Sequence, residues 1–401
     1  MGQFLPALLI FIFVSVESDI YPEPMAGYEY ITTQDALERA GRSLAGAPIV
    51  ALDLECASGL HHYEKRVCLM QMATREAAYV IDALAGLELG PVRRILEDPA
   101  IEIVMHDADF DMRSLDREYG WRPRNIFDTL IAARLCGQRQ FGLASMLERH
   151  FGVQSSKRFQ RADWTIRPLP GDMLEYAACD VKYLVELRDM LEAELKRLDR
   201  IDWAVTKFAE RELIRFEQDD RPAFARVKRA KPACDGRALA VLNELAHERE
   251  RISKALDLPP FRVISDEPLI DLATNPPHDV EALKRRRGMH PHCRRGAADA
   301  LFAAIQRGKA GPKLAWPAPP RKKRRAFHSE EIMEAIKSWR AKEAQEHDLE
   351  PDLILSMRSI KALAQGGSLE DVMRDEASTA WGGGKIKESL ARLLTDCRTR
   401  R

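Results

Sequence analysis

The sequence predicts an α/β domain followed by two small helical domains. Residues 25–200 alternate strand-like and helix-like runs, the pattern of a sheet with helices packed on it. Beyond residue 210 the strand signals vanish. Two later helical stretches then share a sequence pattern at a shift of 91 residues.

Tyr28–Thr33 reads as a first strand. Pro48–Leu54 is a short apolar strand that carries Asp53 near its end, and Val67–Met72 and Ala77–Asp82 are two more. A helix is expected at 88–97 and a strand at Ile101–Met105. Helices then fill 110–118, 127–136, 141–151 and 171–198.

The helical part begins with Arg237–Leu256, then Ser265–Ala273, Asp279–Arg285 and Cys293–Arg307. A Pro-rich stretch, Pro312–Pro320, marks a boundary and runs into the basic segment Arg321–Arg325. Residues 328–398 are helical again. Shifted by 91 positions, Asp257–Ser265 falls on Asp348–Ser356, and the match runs without a gap to Leu272-Ala273 on Leu363-Ala364. We read one small helical domain present twice, the second copy degenerate. The division is 1–24 as an apolar extension, 25–210, 230–312, a basic linker 313–327, and 328–398.

At 401 residues, 45% hydrophobic and 31% charged, the chain has the composition of a globular protein with a sizeable core. Its formal net charge is +0, but no acidic residue lies between Gln306 and Arg325. Basic clusters also occur at Arg226–Lys231 and Lys284–Arg287. That asymmetry points to a polyanionic partner, against the plainer reading of solvated surface. The seven cysteines are scattered, with no Cys-x-x-Cys pair, which excludes a disulfide framework and a thiolate zinc site and favours a reducing compartment. Phe4–Val16 is apolar but shorter than the ~20 residues of a membrane span. It lacks the basic lead-in and cleavage site of a signal peptide. We expect translation to begin at Met25, with a secreted or anchored form as the alternative.

Three elements carry chemistry. Asp53 and Glu55 are two apart on a strand, so both face one side. Carboxylates so placed repel each other unless a cation lies between them, and Mg²⁺ takes such oxygen ligands; a surface strand can carry the same pair with no function. His106-Asp107-Ala-Asp109-Phe-Asp111 delivers carboxylates into the turn after a strand. The residues leave open which of the three aspartates binds metal and which merely caps the next helix. Tyr176 and Asp180 are four apart and share a helix face, where a phenol can orient a metal-bound water.

Taken together and in this order, Asp-x-Glu, His-x4-Asp and Tyr-x3-Asp resemble the DEDDy 3′→5′ exonucleases. The flanks narrow the resemblance to ribonuclease D: Tyr63, Cys68-Leu-Met-Gln71, Phe127-Asp128-Thr129, Gly142-Leu143-Ala144, Lys157, Asp163-Trp164, Arg167-Pro168-Leu169 and Asp180–Leu184. Residues 235–307 resemble the HRDC module that follows the nuclease domain in that family. The resemblance implies a ribonuclease H-like exonuclease domain with a mixed sheet, then two all-α HRDC-type domains. It implies hydrolysis of RNA 3′ ends to nucleoside 5′-monophosphates with two divalent ions, Mg²⁺ or Mn²⁺. Asp53, Glu55, Asp111 and Asp180 are then the metal ligands, with Tyr176 as the fifth catalytic residue. Gln71, His106, Lys157 and Arg167 are expected to touch substrate. Leu54, Cys56 and Asp107 depart from the family pattern, and Asp107 adds a charge that can compete with Asp111. The expected partners are tRNA precursors with 3′ extensions and the nucleotide product; no membrane partner is expected, and the chain should act as a monomer in the cytoplasm.

Two rival readings remain open to the sequence. A DNA 3′→5′ exonuclease would use the same carboxylates, because the metal site does not choose the sugar. A non-catalytic RNA-binding scaffold on the same fold would have no need of all four carboxylates.

Overall fold

The computed structural model describes residues 27–57, 59–154, 157–317, 329–375 and 385–399. The extension 1–24 and the basic run Arg321–Arg325 lie outside these.

The first domain runs β1 (Glu29–Ile31), α1 (Gln34–Ala45), β2 (Ile49–Cys56), β3 (Val67–Ala73), β4 (Ala78–Asp82), α2 (Gly90–Leu96), β5 (Glu102–Met105), α3 (Asp109–Tyr119) and β6 (Ile126–Asp128). The helices α4 (Thr129–Leu135), α5 (Leu143–Phe151), α6 (Gly171–Lys182), α7 (Leu184–Arg197) and α8 (Ile201–Glu212) follow. The six strands form one mixed sheet in the order β1-β4-β3-β2-β5-β6. The β2–β3–β4 ladders are antiparallel, whereas β1 joins β4, β5 joins β2 and β6 joins β5 in parallel.

Alternation along β2 sorts its side chains between two cores. Val50, Leu52 and Leu54 face Leu37, Ile95 and Leu115 from the layer of α1, α2 and α3. Ala51 faces the other way, in the core that holds Phe127, Val181 and Leu184. Asp53 and Glu55 continue on that second face. It is the face α6 crosses, burying Met173, Ala177 and Ala178 against Leu69 and Val80.

Asp128 corrects the expected helix at 127–136. Residues 126–128 complete the sheet as β6, and the Asp128 carboxylate caps α4 by accepting from the N–H groups of Leu130 and Ile131. The expected helix at 171–198 breaks at Tyr183, and the one expected at 293–307 breaks at Gly296-Ala297.

The first helical domain contains α9 (Ala230–Ala233), α10 (Gly236–Leu256), α11 (Pro260–Val263), α12 (Asp266–Thr274), α13 (Val280–Lys284), α14 (Pro291–Arg295) and α15 (Ala298–Ala310). The chain after α15 is tied back to it: Leu314 N–H donates to the Gly236 carbonyl, and the Trp316 indole donates to the Cys234 carbonyl. The second helical stretch contains α16 (Ser329–Glu346), α17 (Pro351–Ile354), α18 (Met357–Ala364), α19 (Leu369–Asp375) and α20 (Lys385–Thr399).

The two stretches correspond residue by residue at the shift of 91. Asp257 and Asp348 both follow a long helix in the left-handed conformation, φ 47° and 48°. Pro260 and Pro351 each open a one-turn helix. Arg249 donates to the Ile264 carbonyl as Arg340 donates to that of Leu355. Both stretches dock on the nuclease domain. Glu250 accepts from the Tyr63 hydroxyl at 2.7 Å, and Glu350 and Asp352 hold Arg134.

Candidate active site

The end of β2, the start of α3 and the last turn of α6 meet at one place. Asp53 and Glu55 come from β2, which bulges between Glu55 and Cys56 as its pairing with β3 ends. Asp180 comes from α6. One oxygen from each of these three carboxylates lies within 4.8 Å of the others. Tyr176 is one helical turn before Asp180, and its phenol faces the charge of that carboxylate. The Tyr176 ring is held by Trp164 at 6.1 Å and by Phe159 at 5.7 Å.

The structure separates the three aspartates after β5. Asp109 is taken by Arg113 four residues on, at 2.8 and 3.2 Å. Asp107 is exposed in a left-handed backbone, φ 61°, and its N–H and that of Ala108 donate to Asp128 at 3.1 Å each. Asp111 is buried and faces the charges of Asp53 and Glu55. It stands beside the tight trio rather than within it. Asp107 remains at the rim of the same cleft.

Electrostatically the site is an unbalanced cluster of anions. Burial pushes the Asp53 carboxyl up to about 7. Burial and the charge of Asp53 push Asp180 to about 8. Burial and neighbouring carboxylates, Asp53 first, raise Glu55 and Asp111 well above the usual range. Among the described residues none of the four pairs with a lysine, arginine or histidine. Buried carboxylates that repel one another and have no cationic side chain fit hard divalent cations, which take oxygen ligands.

The four open into a cleft of about 370 Å³, walled by His106, Phe110 and Trp164. The His106 Nδ1 lies 2.9 Å from the Thr129 hydroxyl, which itself donates to the Met105 carbonyl. Thr129 therefore accepts from Nδ1–H, and burial holds the ring neutral by pushing it down to about 4. Phe110 was not legible as a site residue. It is 53% exposed at the cleft wall, and its only signal is an aromatic side chain set among aspartates on the first turn of a helix.

Two expected substrate contacts are corrected. Every guanidinium N–H of Arg167 is taken within the protein: Asp82 binds it at 2.7 and 2.6 Å, and the carbonyls of Trp164, Ile166 and Cys68 take the rest. It has no donor left for phosphate. Gln71 is 0% exposed and lies beneath the cleft, so it cannot reach a nucleotide. Lys157 begins a short 3-10 turn, and its side chain lies outside the described residues.

A mixed sheet whose strand and helix ends converge on acidic side chains, followed by a helical module, defines a metal-dependent 3′-5′ exonuclease. Residues 28–196 match the 3′-5′ exonuclease family and residues 238–305 match the HRDC domain. The chain is 30% identical to ribonuclease D of Acidiphilium cryptum, over 86% of this chain and 88% of that protein. It is 33% identical to ribonuclease D of Jannaschia sp., over 70% and 74%. The crystal structure of Escherichia coli RNase D superposes with a TM-score of 0.67 at 27% identity, covering 92% of this chain and 99% of that one. The chain belongs to the ribonuclease D family. It is a hydrolase, an exoribonuclease of the 3′-5′ type. Among the described residues no helix is long and apolar enough to cross a membrane.

Proposed function

We propose that this chain trims the 3′ extensions of tRNA precursors, releasing nucleoside 5′-monophosphates one at a time by two-metal hydrolysis. The observation that carries the reading is the trio Asp53, Glu55 and Asp180, with oxygens within 4.8 Å of one another and no cationic partner among the described residues. In this reading Asp53, Glu55, Asp111 and Asp180 hold two divalent ions, Mg²⁺ or Mn²⁺. Such ions, when bound, lower the pKa of water and stabilise the attacking and leaving oxygens of an in-line displacement.

The protein's own groups do the rest. Tyr176, fixed on Trp164 and Phe159, orients the attacking water from the side of Asp180. Burial, with the charge of Asp180, raises its phenol above the ordinary range, so in the ion-free site the hydroxyl keeps its proton. His106, neutral with its proton on Nδ1, lines the cleft that receives the terminal nucleotide. The cysteines nearest the site in sequence, Cys56 and Cys179, have thiols raised by burial, which makes them poor nucleophiles. The seven cysteines are all unpaired, which supports a reducing cytoplasm as the working compartment.

The test is digestion of a 3′-extended tRNA precursor beside single-stranded DNA of matched sequence, with Mg²⁺, with Mn²⁺ and with EDTA. Metal-dependent mononucleotide release from the RNA, stopping at the mature tRNA end, is the expected result. Equal digestion of the DNA, or no digestion of either, contradicts it.

A further inference from the structure

Gln71 is the anomaly of the sheet. It sits in the middle of β3, whose neighbours Leu69, Met70, Met72 and Ala73 are apolar and, like Gln71 itself, 0% exposed. Both amide atoms, Nε2 and Oε1, are buried without a hydrogen-bond partner. Native proteins pair nearly all such groups, and an unpaired one is strongly unfavourable. An apolar side chain would fill the same place without that penalty. The fold itself therefore gives no reason for an amide here.

The ladder between β2 and β3 supplies a reason. Gln71 pairs directly with Asp53. Directly opposed residues of an antiparallel pair point to the same face, with Cβ atoms about 4.5–5.5 Å apart. That is within the span of a glutamine amide reaching a carboxylate. Among the described residues the Asp53 carboxyl has no cationic partner. The ladder engages the strand carbonyls nearby, and α6 closes the face above. The side-chain acceptor that lies opposite the amide is the Asp53 carboxylate.

We propose that Gln71 is a positioning residue for Asp53: its amide N–H, unpartnered in this arrangement, donates to the Asp53 carboxylate when that carboxylate takes up metal and so sets its orientation. The inference rests on the reading that Asp53 is a metal ligand. Outer partners of this kind fix a ligand's geometry and tune its affinity. The charge cluster is anionic and needs a donor, and Gln71 supplies one from below without adding a positive charge that would compete with the ions.

The experiment uses the full chain carrying Gln71→Met, of similar length and without polar hydrogens. Mn²⁺ affinity is measured by calorimetry at pH 8, and the melting midpoint is measured in EDTA. The expected result is a metal affinity about 10- to 100-fold weaker, with the EDTA midpoint unchanged or higher because an unpaired buried amide is gone. Unchanged affinity overturns the proposal. So does an affinity that falls together with the midpoint, because the amide is then a structural support. If Gln71→Met does not fold, Gln71→Leu is measured in its place, and failure of both to fold also overturns it. Asp53→Asn is run in parallel. Metal affinity intact in Asp53→Asn means that the ligand assignment itself has failed. Affinity lost in Asp53→Asn but kept in Gln71→Met means that the role of Gln71 alone has failed.

Discussion

Tyr176 lies one helical turn before Asp180 on α6, and its phenol faces the charge of that carboxylate. That spacing places a phenol at the edge of the carboxylate trio, and Trp164 and Phe159 limit how far the ring can turn. Tyr176→Phe keeps the ring packing and removes only the hydroxyl. It should lower kcat by about 10²-fold or more while metal affinity changes little. Single-turnover kinetics beside a Mn²⁺ titration check both halves. A collapse of metal affinity would make the hydroxyl part of the ligand framework instead.

Acidity gives a second prediction. The carboxyls of Asp53 and Asp180 sit at about 7 and about 8 in the folded protein, above the ordinary value of 3.8. A group with a raised folded pKa binds its proton more tightly folded than unfolded. For these carboxyls stability is therefore greatest in acid and is lost as pH rises from about 4 to about 8. In EDTA their contribution lowers the melting midpoint across that window. Saturating Mg²⁺ should restore the midpoint at pH 8 and do little at pH 5, where protons compete for the same oxygens. A metal-induced shift of equal size at pH 5 and pH 8 contradicts the assignment.

Arg167 spends its guanidinium within the protein, which makes it a support of the fold. It binds Asp82, which is 3% exposed and also accepts from the Tyr30 hydroxyl at 2.6 Å. Removing one partner of a buried pair leaves an uncompensated charge and costs about 3–5 kcal/mol. Arg167→Ala should thus lower stability by that order and leave KM for RNA unchanged in the folded fraction. Chemical denaturation and steady-state kinetics measure the two separately. A raised KM without a stability loss would return Arg167 to the substrate path.

His62 joins the nuclease domain to the first helical domain. Its Nε2 is 3.0 Å from Asp163 and its Nδ1 is 2.6 Å from Asp257. An imidazole facing two carboxylates donates to both only when protonated. Burial pulls its pKa down, but the hydrogen bonds to Asp257 and Asp163 outweigh this and raise it. The contact is therefore full below the ordinary histidine value and weakens as pH rises through the raised one. Each exposed pair is worth only about 0–1 kcal/mol. Asp257→Ala should make the connection at 213–222 more sensitive to limited proteolysis, by a larger factor at pH 6 than at pH 9, where only the Tyr63 N–H bond to Asp257 is lost. An identical cleavage rate at pH 6 would show that the Asp257 contacts do not hold the domains together.

Much of this was legible in the chain. Asp53 and Glu55 stand out because strand alternation puts them on one face after an apolar run, and Tyr176 and Asp180 because a helix brings them together. The 91-residue repeat of Asp257–Ser265 is visible because Pro, Ser and the left-handed Asp hold the same corner twice. What the sequence hid depends on distant pairing. Nothing local to Arg167 signals Asp82, 85 positions away. Gln71 looks like a polar site residue until the sheet buries it. Asp128 reads as part of a helix, because its cap on α4 and its grip on the Asp107–Ala108 turn exist only once β5 and β6 are paired.

Metal-dependent hydrolysis of RNA from the 3′ end depends on the carboxylates around Asp180. The most direct measurement follows 5′-monophosphate release from a single-stranded RNA by wild type and by Asp180→Ala, with matched circular dichroism and RNA-binding curves. The expected result is stepwise release by wild type with Mg²⁺ or Mn²⁺, none in EDTA, and none by Asp180→Ala, although that variant stays folded and still binds the RNA. Release at the wild-type rate by folded Asp180→Ala, or by wild type in EDTA, would contradict it.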